Sequence, residues 1–362
     1  MVGTVILSSV LKRALLPAPC RWQAALLLSI LLCGMAQSLP AQKLLKRIDS
    51  LLTENYRKVN YDTAYLARPK SRWTVLARVN ISGAAIETEG VDRTALPPGS
   101  SEEGQPFKSR LYANNKTTLS LGIGYQGIML SLALNPGQLV GKYRDYELNL
   151  NCYRRNFGFD VIYQDAKNFT GWYDLKGIAH VDVPDEMVKV KTLNINAYYA
   201  FNNRRFSYPA AFSQSYIQRR SAGSFLLAAS AMIQDATLGE GQEASLGKWD
   251  EQQMKMTNIG IGVGYGYNYV PKEGWLMHLS LLPTLIAYSN SKLTISGEPV
   301  DQRSHFPEFI ATARGAVVKL WGNKYAGLSM VYNYTTVGDK DDLAIYNAKW
   351  RVRAFFGLRI WK

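Results

Sequence analysis

Tyr346-Asn347-Ala348-Lys349-Trp350-Arg351-Val352-Arg353-Ala354-Phe355-Phe356-Gly357-Leu358-Arg359-Ile360-Trp361 reads as one long alternation at the end of the chain. Tyr346, Ala348, Trp350, Val352, Ala354, Phe356, Leu358 and Ile360 are apolar, and Lys349, Arg351, Arg353 and Arg359 lie between them. Strand side chains point to opposite faces with period two, so one face is greasy and the other basic. The same pattern recurs along the chain with no helices to cover it. An all-β transmembrane antiparallel barrel of about twelve strands satisfies it, apolar outward to lipid and polar inward to a lumen.

Working back from that strand, the period-two runs are easy to place. Val75, Ala77, Val79 and Ile81 mark the first strand, Leu119, Leu121 and Ile123 the second, and Ile128, Leu130 and Leu132 the third. A fourth and fifth fall near 145–154 and 157–163, a sixth near 188–201 and a seventh near 225–233. In the eighth, Ile259, Ile261, Val263, Tyr265, Tyr267 and Tyr269 alternate with Gly260, Gly262, Gly264 and Gly266. That glycine row makes room for bulky lumen contents or for sharp coiling of the sheet. The ninth to eleventh cover about 275–287, 306–320 and 325–335. Trp172, Trp275, Trp321, Trp350 and Trp361 suit interfacial girdles.

The N-terminus reads as an export signal. Lys12, Arg13 and Arg21 precede the apolar run 24–32, and Ala36 or Ala41 offers a small-residue cleavage site. The bulky Leu32 before Cys33 argues against a lipid anchor. The expected organisation is a signal at 1–41, a periplasmic amphipathic helix and linker at 42–71, and the barrel at 72–362. In the helix, Leu44, Leu45, Ile48, Leu51, Leu52 and Tyr56 share a face. The expected location is the outer membrane, with its lipid as the first partner. Of three cysteines only Cys152 falls in the mature chain, so no disulfide is expected.

The formal net charge is +14, and three of the cations precede Gln42, which leaves +11 for the mature chain. The cations alternate with apolar residues along strands and form no helical stripe, which excludes nucleic acid as a partner. Lipid phosphates or an anionic solute remain, with Arg351, Arg353 and Arg359 as the basic lumen. Such arginines could also pair with interior carboxylates such as Glu147.

The connections test the topology. Short turns are expected after even strands and long loops after odd ones, as at 87–115, 135–144, 165–187, 235–254 and 289–305. One connection breaks the rule. Residues 202–220 stand where a short periplasmic turn belongs, yet carry Arg204, Arg205, Phe206, Tyr208, Pro209, Phe212, Tyr216, Arg219 and Arg220. Long ordered loops are more often functional than filler. This one is expected either to fold into the lumen as a constriction or to dock a periplasmic or surface protein. A missed hairpin here, reversing the later orientations, is the competing account.

The run from Asn202 through Ser207-Tyr208-Pro209-Ala210-Ala211-Phe212-Ser213-Gln214 to Arg220-Ser221-Ala222-Gly223-Ser224 resembles the central motif of domain-of-unknown-function family 4421. Asp62-Thr63-Ala64-Tyr65-Leu66 and Leu121-Gly122-Ile123-Gly124-Tyr125 are also similar to it. The resemblance covers about 45–362. It implies an exported outer-membrane barrel of Bacteroidetes, and it implies no activity or catalytic residue.

Enzyme chemistry finds little footing. Gly122-Ile123-Gly124-Tyr125-Gln126-Gly127 matches the dinucleotide fingerprint in letters, but a strand follows where a helix is required. His278-Leu279-Ser280 places a histidine and a serine two apart on one strand face, as nucleophilic catalysis requires. The pair resembles the His-x-Ser of outer-membrane phospholipases and lipid A deacylases, which work on lipid at the barrel wall. Met277, Leu279, Leu281 and Leu285 make the opposite face the more apolar, so His278 points inward, and no neighbouring residue supplies an obvious orienting third group. His180, His278 and His305 are isolated, and Asp339, Asp341 and Asp342 lack a full calcium ligand set. No cofactor, metal or catalytic residue is expected. The reading is a non-enzymatic pore or envelope protein with a basic lumen narrowed by 202–220, and the alternatives are a lipid hydrolase or a scaffold.

Overall fold

The computed structural model describes residues 59–92, 105–125, 128–134, 136–139, 146–167, 169–175, 179–184, 187–238, 243–244, 247–248, 252–295, 298–300, 308–340 and 343–360. Before them it describes only Arg47, Ser50 and Thr53, all helical. The expected signal, most of the helix at 43–58, the Gln126-Gly127 turn, His305, Asp341, Asp342, Trp361 and the side chain of Glu147 lie outside the described residues.

Twelve long strands carry the architecture: β1 (Trp73–Asp92), β2 (Gln105–Tyr125), β3 (Ile128–Leu134), β4 (Tyr146–Tyr153), β5 (Phe157–Ala166), β6 (Val188–Ala200), β7 (Ala222–Leu238), β8 (Gln252–Tyr269), β9 (Trp275–Ile295), β10 (Phe309–Trp321), β11 (Lys324–Asp339) and β12 (Leu343–Ile360). Every pairing is antiparallel. The ladder runs from β4 through β12 in chain order, continues from β12 to β1, then through β2 to β3. The two ends of that path, β3 and β4, are consecutive in the chain.

The sheet is rolled. Arg314 on β10 bonds Asp160 on β5, and Asn347 on β12 bonds Gln234 on β7 at 3.1 Å. Each pair is five strands apart along the ladder. A flat sheet at about 4.8 Å per strand would separate them by roughly 24 Å. Only curling brings the opposite walls within hydrogen-bond reach.

Solvent preference follows the alternation. Along β9, Leu276, His278, Ser280, Leu282, Thr284 and Ile286 are buried, while Met277, Leu279, Leu281 and Leu285 face out. Leu279 is 72% exposed, and Leu121, Ile123, Phe225, Ile261 and Leu328 extend the same outer belt. Ten such side chains in water, at roughly 1.5–3 kcal/mol each, would outweigh the net stability of an ordinary domain. Lipid removes that cost. The protein is a transmembrane β-barrel, and among the described residues no helix is long and apolar enough to cross a membrane.

Several expected loops prove to be strand. β1 and β2 extend to Asp92 and from Gln105, and the stretch 165–187 holds a hairpin, Phe169–Leu175 with Ala179–Val183, added to β2 at Phe107–Ala113. These projecting ladders carry charge pairs, Glu87 with Arg110 at 2.6 Å and Glu89 with Lys108 at 3.2 Å, in place of an apolar face. A spanning strand needs only about 9–11 residues, so the remainder stands above the membrane and loses the alternation that marks the span.

Candidate functional site

The exceptional connection, 202–220, begins at the end where the other short turns lie and folds inward. Asn203 at its base is tied to the β4–β5 turn by Arg155, which donates to the Asn203 side chain at 2.7 Å and its carbonyl at 3.0 Å. Ser207 then caps a one-turn helix, α1 (Tyr208–Phe212), its hydroxyl accepting from Ala210 N at 3.3 Å. A capping serine ahead of Pro209 is an ordinary helix start, not anticipated above because the helix is so short. Phe206 and Tyr208 are fully buried, and Pro209, Phe212 and Tyr216 are buried with them. Gln214 closes the turn at φ +52°, a conformation few non-glycine residues adopt. Arg359 on β12 donates to the Gln214 carbonyl at 3.1 Å and lies over the Tyr325 ring.

Residues 60–68 brace this plug from the side. Leu66–Ala67 pairs with Ile217–Gln218, Asp62 N donates to Arg204 O, and Arg68 donates to the Tyr216 hydroxyl at 2.8 Å. The segments around Asp62 and Ser207 thus meet in space. The plug's cations sort away from its aromatics: Arg204, Arg219 and Arg220 are exposed, and Arg205 reaches Asp62 at 3.1 Å. They do not line the lumen.

A buried polar chain fastens the plug to the wall. Gln218 Nε2 donates to the carbonyls of Arg205 and Arg220 at 2.7 and 2.9 Å, so its Oε1 must be the atom that accepts from Ser207 N and Asn268 Nδ2. Asn268 Nδ2 also donates to the Ser207 carbonyl at 2.9 Å, which turns its Oδ1 toward His278 Nδ1 at 2.7 Å. An amide oxygen only accepts, so Nδ1 carries the proton and Nε2 presents its lone pair to Ser280 Oγ at 3.0 Å. Ser280 therefore donates to His278, and the Tyr208 hydroxyl donates to Ser280 Oγ at 2.8 Å. Phe206, Tyr208 and Phe212 enclose the imidazole with centroids 6.0, 4.9 and 5.1 Å away.

His278 and Ser280 do point inward, but a third group exists. Asn268 sits directly opposite His278 in the β8–β9 ladder. It continues the inward row of Gly260, Gly262, Gly264 and Gly266, and the short turn after it sets the register. That register, rather than any motif, was the available signal. The glycines serve both ends foreseen for them. A Cβ on Gly262 would lie 1.9 Å from the Pro283 carbonyl oxygen, and one on Gly266 would press on the Phe206 ring at 3.1 Å.

On the other side of Phe212 lies a polar chamber, with about 50 Å³ open to the centre of a water-sized solute. Lys116, Arg314, Lys349, Arg351 and Arg353 line it, against one described carboxylate, Asp160. Arg314 and Asp160 form a buried ion pair, to which the Tyr153 hydroxyl also donates, and Arg353 Nε donates to Asn80 at 2.7 Å. Of the three arginines expected in the lumen, Arg351 and Arg353 border this space, while Arg359 holds the plug. Lys116, Asp160 and Arg314 were missed, because only curvature brings them together. No group of three or more His, Cys, Asp or Glu with metal-ligand geometry occurs among the described residues.

Among solved structures, the outer membrane protease OmpT of Escherichia coli is similar at 8% identity and a TM-score of 0.44, covering 81% of this chain and 98% of that one. The outer membrane protein OprG of Pseudomonas aeruginosa is similar at 11% identity and a TM-score of 0.29, covering 81% and 98%. The translocator domain of the autotransporter NalP of Neisseria meningitidis is similar at 10% identity and a TM-score of 0.23, covering 88% and 96%. No curated protein matches. The family model described as a domain of unknown function, DUF4421, matches residues 60–359, from the bracing segment through the closing strand, and the chain belongs to that family.

Proposed function

We propose that this protein is a plugged outer-membrane barrel, exported by a cleaved signal, whose task in the plugged state is binding rather than catalysis. The segment 202–220 stoppers the end with the short turns, and the basic chamber above it receives small anionic solutes. The observation that carries this reading is the plug itself: its aromatic residues are buried inside the sheet and held by an unbroken polar chain from Gln218 to Ser280. A barrel of this size is readily filled by its own side chains and a loop, whereas open aqueous channels belong to wider ones. The chamber's excess of four positive charges raises the local concentration of anions.

Single-channel recording in a planar bilayer tests it. The intact barrel is expected to be silent or of very low conductance, and a variant lacking 206–218 to conduct with anion preference. Large, steady conductance from the intact protein would overturn the plug. A second reading, docking of an acidic periplasmic protein, is favoured by the exposed Arg204, Arg219 and Arg220 at the plugged end. Replacing these three by serine would abolish such docking without opening the lumen.

A further inference from the structure

The polar chain that holds the plug has a feature that fastening alone does not require. Every hydrogen bond in it has one possible direction: donation runs from Tyr208 to Ser280, on to His278, Asn268 and Gln218, and ends at backbone carbonyls. Backbone carbonyls orient Gln218, Gln218 and the Ser207 carbonyl orient Asn268, and Asn268 fixes the His278 tautomer with the basic nitrogen facing the serine. Nucleophile to base is 3.0 Å and base to orienting group is 2.7 Å, both within the reach that general-base activation requires.

Phe206, Tyr208 and Phe212 already pack the plug on this wall. Polar groups buried among them gain little net stability from their hydrogen bonds, and apolar residues of the same shape would hold the plug about as well. A second feature points to a reacting ligand. Arg314 is the cross-strand partner of Ser280, and its Nε is buried with no hydrogen-bond partner in the structure. An unmatched donor on the residue directly across the ladder from a polarised hydroxyl suits a site where negative charge develops.

We propose that Ser280 is a serine nucleophile, activated by His278 and covered by Tyr208, that attacks carboxylic esters reaching it through the lumen when the aromatic helix Tyr208–Phe212 moves aside and Ser207 and Gln218 stay in place. Ser280 Oγ adds to the ester carbonyl carbon as its proton passes to His278 Nε2, and Arg314 Nε faces the oxyanion. The C–O bond then breaks, and the departing alcohol takes the proton back from His278. Lumen water, deprotonated by the same nitrogen, adds to the acyl carbon; the acyl–Oγ bond breaks, Ser280 Oγ takes the proton back from His278, and the carboxylic acid leaves. Asn268 is a positioning residue. Membrane lipid is not the substrate at this wall, because Ser280 is 2% exposed and faces inward while Leu279 and Leu281 face the bilayer. The proposal does not depend on the anion reading of the chamber.

The test is covalent labelling of the purified full chain in detergent with a small fluorophosphonate, the adduct being located by peptide mass spectrometry. Two opened forms are compared with the intact protein: Tyr208→Ala combined with Phe212→Ala, which keeps Gln218 and Ser207, and replacement of 206–218 by a Gly-Ser linker. Heat-modifiable gel migration certifies that each barrel is folded. The adduct is expected on Ser280, at least about 100-fold faster in the double substitution than in the intact protein. Adding His278→Gln to the double substitution is expected to slow labelling about 100-fold or more, the span of general-base assistance. No Ser280 adduct in either folded, opened form would overturn the proposal. So would labelling that proceeds equally without His278, which would make the chain a fastening only.

Discussion

Arg314 shows how much of this molecule depends on single inward residues. Its guanidinium is 4% exposed on the side chain, is paired with Asp160 from the opposite wall and lies 5.7 Å over the Tyr208 ring. Two charges buried this deeply lose more hydration than their attraction returns unless both stay paired. Arg314→Met strands the Asp160 carboxylate with the Tyr153 hydroxyl as its remaining described partner, and is expected to cost about 3–5 kcal/mol. Combining Asp160→Leu with Arg314→Met removes both charges and should restore stability to within about 1 kcal/mol of the parent, or exceed it. Urea midpoints followed by Trp fluorescence and gel migration measure both. A single substitution as mild as the double one would show that lumen water, not burial, governs the pair.

The strands were the most legible elements. Alternation in the stretches around Leu119, Ile259 and Trp350 marks each spanning segment because lipid on one side and lumen on the other enforce period two. Where β1 and β2 leave the bilayer, lipid no longer requires an apolar outer face, and their residues read as loop although the ladder continues to Asp92 and Gln105 and keeps Ile86 and Ala113 buried. The site was less legible still. His278 and Ser280 stand out in sequence, but Asn268, Gln218 and Arg314 join them only through register and curvature. The projecting ladder carries its own prediction. Glu89, sixteen residues beyond Trp73 and clear of the span, is held down to about 2, chiefly by the hydrogen bond from Lys340, with burial opposing and Tyr346 and Lys108 assisting. Its folded value lies below the ordinary carboxylate value of about 4.3, so its stabilisation is full above that value and is lost only as pH falls toward 2. Protease cleavage of the outer β1–β2 hairpin should therefore be alike at pH 8 and pH 5, using a protease active at both. Glu89→Gln should raise cleavage at both values. A parent hairpin that loosens at pH 5 would remove Glu89 as its fastening.

At the scale of the whole molecule, the proposed function makes the plug the element that decides whether solutes pass and the chamber the one that decides which are concentrated. The decisive quantity is the balance of five lining cations against Asp160. In the barrel lacking 206–218, Arg351→Glu with Arg353→Glu brings that balance to neutrality. Two of the five lining cations are lost, while Lys116, Lys349 and Arg314 remain. Selectivity from fixed charge acts over a Debye length, about 10 Å at 0.1 M salt and about 3 Å at 1 M. The reversal potential under a potassium chloride gradient should therefore show clear anion preference in the plug-free parent near 0.1 M. It should fall toward zero in the double substitution, and the two should converge near 1 M. Unit conductance at 1 M should change little, since replacing arginine by glutamate leaves the bore similar. If the reversal potential near 0.1 M were the same in both barrels, the selectivity would lie at the long-loop mouth, and Arg351 and Arg353 would be wall residues that a passing anion does not sense.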